Sequence, residues 1–187
     1  MQKNTYLILL ISLILLSAMT NDLTTIIDFN PSDEKEGHLK NWEIVGDNVM
    51  GGKSIGTFQI NEQGNGVFQG EVSLENNGGF SLLRHQFQKI KVRSQKKILL
   101  KIKGDGKRYQ FRIKAKSSDH HSYVTYFSTS GEWETAELSL STMKAKYRGR
   151  QLDVPNFDSD YLTGIAFLIG NKKAEKFKLE IGGVYLK

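Results

Sequence analysis

Lys97-Ile-Leu-Leu-Lys-Ile-Lys-Gly-Asp-Gly-Lys-Arg-Tyr-Gln-Phe-Arg-Ile-Lys-Ala-Lys116 decides how the chain folds. Ile98, Leu100 and Ile102 alternate with Lys97, Leu99, Lys101 and Lys103. After the Gly104-Asp105-Gly106 break, Tyr109, Phe111, Ile113 and Ala115 alternate with Arg108, Gln110, Arg112, Lys114 and Lys116. Period-two alternation over such lengths marks strands buried on one side only. The glycine-flanked break reads as a hairpin connection. The hairpin predicts that 97–103 pairs with 108–116, gathering the lysines and arginines of both runs on one polar face. Such a face would accept an acidic surface, an anionic glycan or lipid headgroups, or would simply keep the sheet soluble.

The same pattern continues on both sides. Phe68, Gly70, Val72 and Leu74 share one face of a run, and further runs lie at 26–29, 54–60, 80–87, 122–128, 133–140, 163–169 and 177–186. That makes about ten strands, the number and spacing of an antiparallel β-sandwich or jelly roll. Helical turns are expected only at 33–37 and 141–144. With no long helix there is no βαβ unit and no dinucleotide site of that kind. The chain has 187 residues, which predicts one domain, placed at 25–187. With 39% apolar residues it can bury a core, and with no cysteine it has no disulfide, thiolate metal site or cysteine nucleophile. The 26 Lys and Arg against 20 Asp and Glu give a net charge of +6, too modest to argue for nucleic acid.

Residues 4–21 carry no charge, and 6–19 form a compact apolar run after Lys3. This reads as a secretory signal at 1–20, or as an uncleaved anchor touching the membrane through 6–19. Either way the expectation is an extracytoplasmic protein, periplasmic or secreted.

Two glycine pairs stand out. Asn41-Trp-Glu-Ile-Val-Gly-Asp-Asn-Val-Met-Gly-Gly-Lys-Ser54 is followed by Phe68-Gln-Gly-Glu-Val-Ser-Leu-Glu-Asn-Asn-Gly-Gly-Phe80 and then Arg84. Gly51-Gly52 and Gly78-Gly79 supply positive φ or close approach where one strand gives way to the next, and the preceding Asp and Asn side chains can bond to the turn backbone. Trp42, Asp47, Val49, Met50, Gly51, Gly52, Ser54, Phe68, Gly70, Glu75, Asn76, Gly78, Gly79 and Phe80 resemble the hallmark of the NADH:ubiquinone oxidoreductase complex I intermediate-associated protein 30 family. Gly104-Asp-Gly106, Tyr109 with Arg112, Trp133, Arg148-Gly-Arg150 and Phe177–Ile181 are similar as well, so the resemblance spans 25–187. It implies a galactose-binding-like jelly roll related in shape to carbohydrate-binding modules. It also implies an assembly chaperone that binds incompletely assembled subunits, with no catalytic activity. The leader is a departure from that pattern.

Catalytic readings find little support in the residues. Gly52-Lys53-Ser54 ends like a phosphate loop, but the required first glycine is missing: position 47 is Asp. Asp119-His120-His121-Ser122 puts its two histidines on opposite sides of any strand. Asp153, Asn156, Asp158 and Asp160 are oxygen-rich but read as a solvated loop before a calcium site. The expectation is therefore a non-enzymatic binding domain without cofactor or metal. Asp47, Asn76, Asn77, Gly78, Gly79, Arg84, Arg112 and Trp133 are its candidate partner-binding residues, and Trp42, Met50, Gly51, Gly52 and Phe80 its framework. The expected partner is an unassembled respiratory or envelope subunit. A glycan stacked on Trp133, Tyr123 and Tyr126 is the second reading.

Overall fold

In a computed structural model, residues 23–29, 39–92 and 95–187 are described, the side chains of Val49 and Met50 excepted. The leader expected at 1–20 and the helical turn expected at 33–37 lie outside them.

Among the described residues, thirteen strands build two antiparallel sheets. One has the order β3 (Ile55–Ile60), β4 (Gly66–Val72), β13 (Glu175–Leu186), β6 (Lys97–Lys103), β9 (Trp133–Ser139). β1 (Thr24–Asp28) also belongs to it, pairing with the end of β13 where β4 stops. The other runs β11 (Arg150–Gln151), β10 (Lys144–Tyr147), β8 (Ser122–Ser128), β7 (Arg108–Lys114), β12 (Tyr161–Ile169), β5 (Ser81–Lys91), β2 (Trp42–Gly46). β2, β10 and β11 exceed the sequence expectation, and the turn expected at 141–144 is a single 3-10 turn at Leu140–Thr142 that passes directly into β10.

The alternation places the core. Ile98, Leu100 and Ile102 of β6 and Leu179, Ile181 and Val184 of β13 face Tyr109, Phe111 and Ile113 of β7 and Ile165, Phe167 and Ile169 of β12, all essentially buried. Phe111 meets Phe167 edge-on at 5.3 Å, and Phe68 meets Phe177 at 4.8 Å. Each such side chain withdrawn from water contributes about 1.5–3 kcal/mol. At one margin Trp42 closes the gap between the sheets, 4.9 Å from Phe58, 6.0 Å from Phe29 and stacked on His85 at 4.6 Å.

The hairpin expectation fails. β6 lies between β13 and β9 in one sheet, whereas β7 lies between β8 and β12 in the other. The Gly104–Lys107 link is an arch across the end of the sandwich. Asp105 organises it: Oδ1 accepts from the Tyr109 hydroxyl at 2.9 Å, and Oδ2 from Lys107 Nζ at 2.8 Å and from the Lys178 backbone N–H of β13 at 2.9 Å. Strand periodicity reports which side of a strand is buried and says nothing of its neighbour, so a hairpin and an arch read alike. The cationic strip consequently divides. Lys97, Lys101 and Lys103 lie on the outside of the six-stranded sheet, Lys97 paired with Glu137 at 2.6 Å. Arg108, Arg112 and Lys114 lie on the outside of the seven-stranded one.

Burial, the nearby Asp105 charge and its hydrogen bond together push the Tyr109 phenol well above its usual pKa, so it remains a donor at every working pH. Asp105→Ala strands this hydroxyl and the Lys178 N–H. Equilibrium urea unfolding should show a loss of about 2 kcal/mol, larger than for Tyr109→Phe, which removes donor and need together. Equal losses would mean that the arch does not depend on Asp105.

Candidate functional site

The two glycine turns are built around one carboxylate. Asp47 opens a 3-10 turn (Asp47–Met50) after β2 and is 1% exposed. Its Oδ1 accepts the Ser54 N–H at 3.1 Å. Its Oδ2 accepts the Ser54 hydroxyl at 2.6 Å and the backbone N–H groups of Gly79 at 2.7 Å and Phe80 at 3.3 Å. Two neighbours must lack side chains for this to fit. A Cβ at Gly52 would lie 2.3 Å from Oδ1, and one at Gly78 would lie 2.7 Å from Oδ2. Asn76 and Asn77 take left-handed φ values of 53° and 61°, and Asn76 Nδ2 donates to the Gly51 carbonyl at 3.0 Å. Burial by itself raises the Asp47 pKa. The hydrogen bonds from Ser54 and from the Gly79 and Phe80 backbone outweigh it, and the net shift is downward. The turns leave Lys53 paired with Glu75 at 2.5 Å, so neither Ser54 nor Lys53 of the apparent phosphate-loop ending is available for a phosphate.

Beyond these turns the outer face of the seven-stranded sheet forms a trough. Register fixes its cross-section: Ala166 of β12 is paired with Arg84 of β5 on one side and with Arg112 of β7 on the other. The next row toward one end is Gln86, Gly164, Lys114, and the next toward the other is Leu82, Leu168, Gln110. Small residues on the central strand and long ones beside it leave a floor with raised walls, enclosing about 210 Å³. Val45, His85, Ser117, His120 and Ser122 complete much of the lining, which contains neither a carboxylate nor a phenyl, phenol or indole ring.

The trough is electropositive. Arg84 is paired with Glu43 at 2.5 Å on the rim, and its Nε is buried without a hydrogen-bond partner. Arg112 Nε and Nη2 both donate to Gln110 Oε1, at 3.1 and 2.7 Å, a neutral acceptor that leaves its charge uncompensated. Burial lowers the Arg112 pKa against an opposing pull from Tyr126. Lys114 Nζ donates to the Asp119 carbonyl. Its pKa is lowered first by burial and also by the like charge of Arg84 across the floor, with Asp119 opposing. Burial also lowers the pKa of His85 against a backbone hydrogen bond with Asn41, which favours its neutral form.

Arg84 and Arg112 thus face each other across one strand, with Asp47, Asn76, Asn77, Gly78 and Gly79 at the β2–β5 end of that sheet. Trp133 is elsewhere. It is paired with Lys103 on the outside of the six-stranded sheet, its ring above Gly182. Tyr123 packs against Phe157 at 5.2 Å, and Tyr126 is held between Arg108 and Lys146. The three aromatics do not form one sugar platform. Among the described residues no group of three or more His, Asp or Glu gathers to hold a metal. Asn156 instead donates to the Ser141 carbonyl. Gly164, Ala166 and Glu43 were not expected at the site.

The family profile described as Complex I intermediate-associated protein 30 matches residues 27–181. The mitochondrial Complex I intermediate-associated protein 30 of Drosophila melanogaster is 24% identical over 190 residues, covering 87% of this chain and 62% of its own length. The family 11 carbohydrate-binding module from Clostridium thermocellum, in complex with a β-1,3-1,4-mixed-linked tetrasaccharide, superposes with a TM-score of 0.64 at 18% identity. That match covers 88% of this chain and 94% of the module. The family 11 module of the cellulase Lic26A-Cel5E from the same organism gives 0.65 at the same identity and coverage. These likenesses are of fold, and the fold is the antiparallel jelly-roll sandwich. The fly relative is mitochondrial, which overturns the expected extracytoplasmic location.

Asp47 carries a testable pH signature. A carboxyl whose folded pKa lies below its unfolded value near 3.8 stabilises the fold above that value and loses the contribution as pH falls through the folded pKa. Asp47→Asn should cost about 2–3 kcal/mol at neutral pH. Its stability should also decline less than wild type between about pH 4 and the acid transition. Parallel acid slopes in urea titrations would show that the carboxylate does not carry this contribution.

Proposed function

The chain belongs to the complex I intermediate-associated protein 30 family, and on that premise we propose that it acts in assembly of respiratory complex I in mitochondria, holding an unassembled protein subunit against the open face of its seven-stranded sheet. The observation that carries this reading is the trough. Arg84, Arg112 and Lys114 border a floor made of Gly164 and Ala166, and among the described residues the acid in an ion pair with these side chains is Glu43 on the rim, with the Asp119 charge near Lys114. Charges withdrawn from water without partners are costly in the free protein, and a complementary surface repays that cost on binding. The trough is assigned to binding, with no bond made or broken there. The Asp47 turns hold the β2–β5 end of the sheet so that the wall bearing Arg84 stays in register.

A glycan, of the kind carried by the clostridial module, is the alternative. It has the shared fold in its favour and the trough's lining against it. Neutral sugars are gripped by aromatic faces beside planar polar groups, and here no phenyl, phenol or indole ring lines the floor or walls, while the His85 ring turns to the other side of β5 against Trp42. Tyr126 is already occupied between two cations.

Affinity capture from detergent-solubilised mitochondria should recover complex I subunits on the wild-type chain. Ala166→Trp, which fills the floor, should lose them, with circular dichroism verifying the fold and Ala166→Leu serving as a milder block. Recovery of no complex I subunit, or equal recovery on a folded blocked variant, would overturn the reading.

A further inference from the structure

The trough has a repeat as well as a charge. Successive rows along a strand face are separated by two residues, about 7 Å, and its walls stand two strand spacings apart, roughly 10 Å. Lys114 and Gln86 occupy one row and Arg84 and Arg112 the next. Leu82 follows, paired with Val45 of β2 on one side and with the buried Leu168 on the other, with Gln110 beyond. An extended polypeptide laid along β12 has the same repeat, since its alternate side chains also fall about 7 Å apart on one side. We infer that the trough recognises an extended acidic segment of the partner protein, with carboxylates at two alternate positions over the Lys114 and Arg84–Arg112 rows and an apolar side chain at the next alternate position over Leu82 and Val45. The inference rests on the protein-docking reading and adds the chemistry of what docks.

Three features favour a peptide carboxylate as the occupant. Arg84 and Arg112 offer planar guanidinium groups from opposite walls to one row, suited to a planar two-oxygen acceptor. The buried, unpartnered Arg84 Nε supplies one donor that the Glu43 pair leaves unused. Small Gly164 and Ala166 make the floor between the cations, and at the next row Leu82 with Val45 gives the β5 side of the lining an apolar end. A lone phosphate has no use for the apolar row, and a flat headgroup layer does not follow a trough one strand wide.

The probes are capped synthetic peptides with a Glu-Ser-Glu-Ser-Leu centre, a Gln-Ser-Gln-Ser-Leu counterpart, and a Glu-Glu-Ser-Ser-Leu isomer of equal charge, titrated into the full chain by fluorescence anisotropy. The alternating peptide should bind at least about tenfold tighter than either control and weaken as salt rises. Arg112→Gln should weaken it about tenfold, and Arg112→Lys less, while Lys101→Gln and Lys103→Gln on the opposite sheet should leave it unchanged. Ala166→Trp, checked for fold, gives a steric counterpart to the charge variants. Equal binding of the Gln peptide or of the isomer would overturn the inference. So would stronger competition by inorganic phosphate, by vesicles of anionic lipid or by mixed-linked glucan. If the alternating peptide fails while subunit capture persists and is lost on Ala166→Trp, the acidic-segment inference falls and the docking reading stands. If capture is also insensitive to the block, both fall.

Discussion

The Asp47 carboxylate is the point on which the arrangement turns. It is almost wholly withdrawn from water, yet it stays easier to ionise than a free aspartate, because Ser54 and the Gly79 and Phe80 backbone point four donors at it. A buried carboxylate is tolerable only when its oxygens are satisfied, and here the satisfying groups come from two strand connections distant in sequence. The bond therefore ties the exit of β2 to the entry of β5. From there the β5 register runs on to Arg84, opposite Glu43 on one side and Ala166 on the other. The turns and the trough are thus parts of one construction. The first fixes the end of the sheet, and the second uses the line that this fixes.

Charge distribution distinguishes the two outer faces. On the six-stranded sheet two cations meet acids, Lys97 with Glu137 and Lys178 with Glu180 at 2.9 Å, while Lys101 and Lys103 extend beside them. Such exposed pairs contribute little to stability. On the seven-stranded sheet, Arg112 has only an amide, Lys114 only a backbone carbonyl, and Arg84 a carboxylate on the rim. Both faces are polar in composition, and the seven-stranded one holds its cations around a concave floor.

Much of this was legible from residues alone. The alternation at 98–102 and 109–113 assigns the inward side chains correctly, since burial on one face is what produces that pattern. The neighbour of each strand was not legible, because Gly104-Asp105-Gly106 has hairpin composition and its true role depends on a contact from Asp105 to Lys178, far along the chain. β2 was hidden within the glycine motif, and β10 is too short to show a period. Arg84 and Arg112 were singled out, whereas the floor between them was not. Its signal was present in Tyr161-Leu-Thr-Gly-Ile-Ala-Phe-Leu-Ile169, where large Ile165, Phe167 and Ile169 alternate with small Gly164 and Ala166. Both classes are apolar, so a search for apolar–polar alternation passes over a strand that is small on one face and large on the other.

The densest part of the family motif consequently describes scaffold. Asp47, Gly52, Gly78 and Ser54 are satisfied by one another, and Trp42 by Phe58 and His85, leaving these side chains little to offer a ligand. The groups with something to offer, Lys114, Arg84 and Arg112 beside Gly164 and Ala166, owe their proximity to sheet register. Under the proposed docking reading, a change at Asp47 would act on recognition through the framework, by displacing the wall that carries Arg84. A change at Ala166 or Arg112 would alter recognition while the Asp47 bonds remain intact. This separation accounts for how one jelly roll can belong both to a carbohydrate-binding module and to a member of the complex I intermediate-associated protein 30 family: the shared architecture sets where an open sheet face lies, and the side chains on its central three strands set that face's chemistry.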